Sequence, residues 1–448
     1  MMNQKYLDEF YSLLRFPSIS TNGKNADQLN RCAEWLAKKL GSIGLDAESV
    51  RTEKYPIVWG RAPHDPKKRT VLIYGHYDVQ SPDPLELWDS PPFEPVLKNG
   101  CVFARGATDN KGQIMAHILG VEETLRSNHE LPVNLHFVIE GEEEIGSPSL
   151  ATFLEQNHES LRNAVVIVSD SEMLARGVPT FAYGLRGVAA LGLKVISPKV
   201  DLHSGRYGGA VANPITALAQ LLATLHDQEG HIAVSGFYDQ VAPVQDWERD
   251  AWSKLPIDAD DEILRESGAP SLFGENGFTT IERLWARPTA EVNGIGGGYQ
   301  GKGIKTVIPT HAMAKLTFRL VPNQDPDQML ALVKEHLRKY LPPGVELEME
   351  PGQTAPCYLA DPRSPDSGAA VRSLREVFGG EVAFIRLGGS IPILPAFREV
   401  LGAETLLLGL GLPDSRVHSP NENFSLDNLE AGMRLNQVLL RELALGRS

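Results

Sequence analysis

The stretch Val71-Leu72-Ile73-Tyr74-Gly75-His76-Tyr77-Asp78 governs how the rest of the chain reads. Its first four residues are β-branched, aliphatic or aromatic and do not alternate with polar ones. That is the pattern of a strand buried on both faces, as in a parallel sheet. The His and Asp that follow would then lie at the strand's carboxyl end, where α/β folds build their ligand sites. The pattern recurs. Leu135-His136-Phe137-Val138-Ile139 runs into Glu140-Gly141-Glu142-Glu143-Glu144-Ile145-Gly146-Ser147, and Val165-Val166-Ile167-Val168 into Ser169-Asp170. Leu406-Leu407-Leu408 leads through Gly-rich chain to Val417-His418-Ser419. Helical stretches near 111–127 and 147–158 separate the first three runs. Alternating strand and helix predicts an α/β fold with a mostly parallel sheet.

Outward from this core, residues 3–15, 26–44 and 426–444 read as helices. In the second, Leu29, Cys32, Leu36 and Leu40 share a face before Gly41 and Gly44 end it. The middle differs. Leu191-Gly192-Leu193-Lys194-Val195 alternates, a helix follows at about 213–227, and 228–304 reads as long and irregular. Strand, helix and strand return near 313–321, 327–340 and 345–350. The expected organisation is a discontinuous α/β domain, 1–186 and 353–448, interrupted by an inserted α+β domain, 187–352.

Composition limits the function. Hydrophobic residues make up 42% and the net charge is 43 − 57 = −14. A globular chain this acidic is no nucleic-acid binder, because phosphate neutralisation needs clustered Lys and Arg. Membrane association is not expected either, since no apolar run reaches the ~20 residues a spanning helix needs. The first residues lack the apolar core of a secretory signal. Cys32, Cys101 and Cys357 are scattered without a CxxC, which suits a reducing cytoplasm. A metal would have to be held by His, Asp and Glu.

Singly, each polar motif has an ordinary reading: a hydrogen-bonded His–x–Asp pair, a solvated Glu run, an Asp that caps a helix. Together at strand ends they favour a metal site, because carboxylates crowded after a buried strand repel one another without a cation. Arg105-Gly106-Ala107-Thr108-Asp109-Asn110 opens a helix, and its acid could join them.

The motifs jointly resemble the metal-dependent peptidase and deacylase family that includes acetylornithine deacetylase, succinyl-diaminopimelate desuccinylase, glutamate carboxypeptidase and the carnosinase-type dipeptidases. The matching segments are Gly75–Asp78, Arg105–Asp109, Glu143–Ser147, Ser169-Asp170 and His418. The resemblance implies a metallopeptidase domain with two divalent metal ions. Asp109 would bridge them, with Glu144 and His418 completing one site and His76 and Asp170 the other. Glu143 would be the general base, and Asp78 would orient His76. Zinc fits such a His/carboxylate shell best, and manganese is the alternative. The inserted domain resembles a lid and dimerisation domain. In Asp201-Leu202-His203-Ser204-Gly205, the His would reach the neighbouring subunit's active site and stabilise the oxyanion. Thr306, Arg319 and Ser390 lie in segments resembling the carnosinase branch, where they contact substrate and the Arg pairs with its terminal carboxylate. One departure is Asn110, where that branch usually carries a second Asp; Asn can still support the cis peptide implied there.

The expected activity is hydrolysis of a dipeptide or short peptide with a free C-terminus, by a cytoplasmic homodimer. N-acyl-amino-acid deacylation is the competing reading, and an inactive metal-free binding protein a remote one. Gly296-Gly297-Gly298-Tyr299-Gln300-Gly301-Lys302 has phosphate-loop spacing, but Gly303 follows where Ser or Thr is needed, and no helix is expected there. No G-x-S-x-G elbow points to a serine hydrolase.

Overall fold

The computed structural model describes residues 2–389, 391 and 393–446. They form two compact units: residues 2–183 with 360–385 and 393–446, and residues 184–359 with 386–389 and 391.

In the first unit the strand Thr70–His76 lies parallel between Asn134–Glu140 and Val165–Val168, with Ile73 opposite Phe137 and Ile167. Glu404–Leu407 continues the parallel array beside Val165–Val168. Ile57–Arg61 and Asp46–Val50 close the other side as antiparallel strands. Leu72, Ile73, Leu135, Phe137, Val166, Ile167 and Leu406 have no exposed surface, as strands covered on both faces require. The covering includes the helices Lys111–Asn128 and Leu426–Leu445. They approach closely at Gly120, where an added Cβ would lie 2.7 Å from Asn436 Cβ and Met433 O. The helix expected at 147–158 is divided into Leu150–Gln156 and His158–Leu161. Asn157 ends the first by donating its side-chain amide to Phe153 O. A side-chain donor that competes for a helix carbonyl is a local effect that apolar spacing does not report.

The second unit is an antiparallel sheet in the order Thr289–Gly297, His311–Leu320, Gly187–Ile196, Glu346–Ala355. Burial alternates along Gly187–Ile196, so one face is apolar. Leu191, Leu193, Val195, Leu316 and Phe318 pack there with Leu218, Leu221, Val333 and Leu337. The last four come from the helices Pro214–Ala223 and Pro326–Lys339. Each helix starts with Pro after a capping Asn213 or Asp325, which accepts from the first turn.

The expectation of irregular chain over 228–304 needs correction. It holds the helices Asp246–Ser253, Ala259–Ser267 and Thr280–Ala286 and the strand Thr289–Gly297. These helices are too short for a clear apolar period, and their ends are set by capping. Asp258 accepts from Asp260 N and Asp261 N, and Thr279 forms a capping box with Glu282. Gly296 and Gly297 are paired opposite Met313 and Ala312, so the Gly-rich segment starts as sheet and not as a phosphate cradle. Among the described residues no helix is long and apolar enough to cross a membrane.

Candidate metal centre

Strand ends position the cluster. His76 is the last residue of Thr70–His76. Beyond Glu140 the chain turns through a short 3-10 helix, Glu143–Ile145, that carries Glu143 and Glu144. Asp170 lies just past Val165–Val168. Asp109 precedes the helix Lys111–Asn128, and His418 follows Glu404–Leu407 in a loop that places it at φ 59°.

These residues converge as two triads sharing Asp109: His76, Asp109 and Asp170, and Asp109, Glu144 and His418. Within each, the donor atoms all lie within 4.8 Å of one another. The two oxygens of Asp109 face different imidazoles, Oδ1 lying 3.0 Å from His76 Nε2 and Oδ2 2.8 Å from His418 Nε2. His418 Nε2 is also 3.3 Å from Glu144 Oε2.

The chemistry of the donors fits cations. His76 Nδ1 has only acceptors beside it, Asp78 O at 3.1 Å and Asp78 Oδ1 at 3.3 Å. A proton on Nδ1 satisfies both, and in the neutral ring it leaves Nε2 a lone pair for a cation. That Nε2, like Glu144 Oε1, is buried with no hydrogen-bond partner. A buried acceptor atom without a donor is costly unless something electropositive lies beside it. Nitrogen and carboxylate donors without a thiolate suit a divalent cation.

The protonation tendencies tell the same story. Burial would lower the His76 pKa, yet Asp170, Asp109 and Asp78 raise it well above its ordinary value. Asp109 and Glu144 push His418 up to about 10. Burial acts to raise Asp109, but His418 and His76 hold it below the usual carboxylate range. The cluster thus gathers positive charge, and cations would take over that role by displacing protons. Glu143 belongs to neither triad. Burial, aided by Asp170, Asp109 and Glu144 and opposed by His76, pushes its carboxyl well above the ordinary range.

The support is built from the neighbours. Asp78 is fully buried, accepting from Ser20 Oγ at 2.6 Å, Glu144 N at 3.1 Å and Glu143 N at 3.2 Å. It therefore holds the Glu143–Glu144 turn as well as His76. Asn110 donates to Ser169 O at 2.6 Å and Asp170 Oδ1 at 2.8 Å, and the Asp109–Asn110 peptide is cis. Behind them His117 Nε2 lies 2.8 Å from Ser169 Oγ. Glu142, beside the two cluster acids, has a structural task instead. It accepts from Tyr55 N, Thr52, and the backbone and hydroxyl of Ser149. Glu422, which no sequence motif marks, is fully buried against the Asp109 loop.

The remaining predicted residues lie in the second unit. Leu202–His203 pairs antiparallel with Val307–Ile308, and Ser204 N donates to Thr306 O, so His203 and Thr306 are neighbours. His203 is exposed, with Nδ1 accepting from Gly205 N at 3.0 Å. Arg319 lines a cavity of about 330 Å³ together with Arg186, Arg287 and Glu291. Burial, together with the charge of Arg319, lowers Arg186 to about 10. Ser390 lies outside the described residues.

A mostly parallel α/β sheet with a His/Asp/Glu cluster at its strand ends is the framework of a metal-dependent hydrolase. The chain belongs to peptidase family M20/M25/M40, whose pattern it matches over residues 72–442. It is 32% identical over 463 residues to Cys-Gly metallodipeptidase dug1 of Schizosaccharomyces pombe, covering 98% of this chain and 96% of that protein. The Beta-Ala-His dipeptidase of Homo sapiens is 32% identical, covering 94% and 83%. Among solved structures, an M20 family metallo-carboxypeptidase of Sulfolobus solfataricus superposes with a TM-score of 0.88 at 33% identity, covering 99% of this chain and 100% of that one. Human carnosine dipeptidase 1 gives 0.83 at 29%, covering 99% and 96%. The relatives match the carnosinase-type branch.

Proposed function

We propose that this protein is a metal-dependent dipeptidase that hydrolyses short peptides with a free C-terminal carboxylate. The observation that carries the reading is the pair of triads sharing Asp109, with Glu143 beside both and in neither. His76, Asp109 and Asp170 would hold one divalent cation, and Asp109, Glu144 and His418 the other. Such cations supply Lewis acidity and bring the pKa of water towards neutrality. Glu143 takes the proton of the attacking water and delivers it to the leaving amine. Asp78 fixes the ring of His76 and the backbone of Glu143. His203 of a second copy stabilises the oxyanion. Arg319, with Thr306 and Ser390, anchors the terminal carboxylate, and the electropositive cavity beside Arg319 supports that choice. A homodimer, zinc as the resident metal and a cytoplasmic location complete the proposal.

The test is a parallel assay on protein of measured metal content, with Cys-Gly, β-Ala-His, a dipeptide library, longer peptides and N-acetyl amino acids. Dipeptides should be turned over fastest. A strong preference for acylated amino acids would replace the dipeptidase with a deacylase.

A further inference from the structure

Two ligand-bearing loops leave one small ladder. Cys101–Phe103 pairs antiparallel with Asn423–Ser425, Asn423 standing opposite Phe103. Ala104 N donates to Glu422 O at 3.1 Å and extends the ladder by one rung. There the strands part. One runs on through Arg105–Thr108 to Asp109, and the other comes from His418 through Asn421. The Glu422 side chain spans the gap. Its Oε2 accepts from Arg105 Nη1 and Gly106 N, each at 2.8 Å. Its Oε1 accepts from Thr108 N at 2.9 Å and Asp109 N at 3.0 Å. Four donors fill the acceptor sites of a carboxylate with no exposed surface. Arg105, itself 1% exposed, also donates to Ser81 O.

The geometry points to Glu422 as a positioning residue. By binding the amide of Asp109 and the turn before it, its carboxylate sets the register of the shared Asp109 against His418, and so the placement of both cations. This rests on reading the cluster as a two-cation site. The chain between His418 and Glu422 has little slack. His418 and Asn421 sit at φ 59° and 64°, and Asn421 is tied to Asp89 N and Leu87 O. A shift of the Asp109 loop therefore cannot be followed by the His418 loop. Because Asp109 belongs to both triads, its displacement affects both sites together, whereas Asp170 or Glu144 would affect one.

Glu422→Gln tests this. In either orientation its carboxamide turns an NH2 towards two of the four donors, leaving them without an acceptor. Manganese(II) is titrated into metal-free full-length protein and followed by electron paramagnetic resonance, which reports affinity and the magnetic coupling of two ions sharing a bridge. Leu439→Ala, a fully buried core change in the helix Leu426–Leu445, serves as a destabilised control. Wild type and L439A should bind two coupled ions. E422Q should bind both about 10–100-fold more weakly and lose the coupled signal. If E422Q does not fold, Glu422→Asp, which withdraws the charge by one methylene, is measured in its place against the same expectation. Wild-type protein that binds fewer than two ions, or two uncoupled ones, overturns the two-cation reading and this proposal with it. Two ions coupled in wild type and bound equally well in the variant, whatever its melting temperature, overturn this proposal alone.

Discussion

Asp78→Asn is the substitution that best separates positioning from ligation. Asp78 Oδ1 faces Glu143 N and His76 Nδ1, and Oδ2 faces Glu144 N and Ser20 Oγ. Asn has nearly the same shape but only one acceptor oxygen. Whichever way the amide lies, its NH2 meets the backbone N–H of Glu143 or Glu144. One buried donor then loses its partner, which costs about 1–3 kcal/mol. The second effect falls on His76. A neutral amide polarises the Nδ1 proton less than a carboxylate does, so Nε2 becomes a weaker donor, and affinity for the cation beside Asp170 should fall about 10–100-fold. Glu144 and His418 keep their side chains, so the other site should weaken less. The assay is a chelator competition that resolves two binding steps, paired with urea unfolding of the metal-free protein. Two unchanged steps combined with the full stability loss would refute the orienting role and leave Asp78 as a structural acceptor only. Equal weakening of both steps would place the main effect in the Glu143–Glu144 turn.

Glu143→Gln should lower kcat by about 10²–10⁴-fold while two metals remain bound, since Glu143 lies in neither triad; loss of a metal by elemental analysis would make it a ligand. Arg319→Ala should raise KM about 10–100-fold for dipeptides, because one charged hydrogen bond contributes about 1.5–3 kcal/mol; an unchanged KM would remove it from carboxylate binding. Gly112→Ala should destabilise the protein by about 1–3 kcal/mol or more in thermal unfolding, because the new Cβ would lie 2.0 Å from Ala107 O and 2.6 Å from Phe424. Glu140 provides a pH test in metal-free protein. Burial, with Asp78, raises it to about 8, against hydrogen bonds from Tyr74 and Ser147. The folded state then keeps a proton that the unfolded state has lost, so stability should fall as pH rises from about 4.5 to 8, by at most about 1.4 kcal/mol per pH unit. Glu140→Gln should flatten that decline, and parallel curves for the two proteins would contradict the burial of an ionisable Glu140.

Residues differ in how openly the sequence showed them. The runs at Val71, Leu135 and Val165 were readable as central strands because full burial leaves no room for alternation, and the polar residues behind them stood out by contrast. The helices inside 228–304 were hidden, though the Thr279–Glu282 box and the Asp258 cap were the available signals. Glu422 had no comparable signal. It is a single acid in a polar loop, and its task depends on where the Arg105–Asp109 loop lies more than three hundred residues earlier in the chain. Glu142 shows the same limit from the other side, since nothing local distinguishes it from Glu143 and Glu144.

The sequence by itself determined the class of sheet, the donor types open to a metal and the residues that close its strands, because periodicity and residue chemistry are local properties. Tertiary structure alone decided which oxygen of Asp109 meets which imidazole, and that Glu142 and Glu422 hold backbone instead of joining the cluster. Those are statements about which donor meets which acceptor across long loops, and such pairings exist only once the packed sheet has brought the loops together.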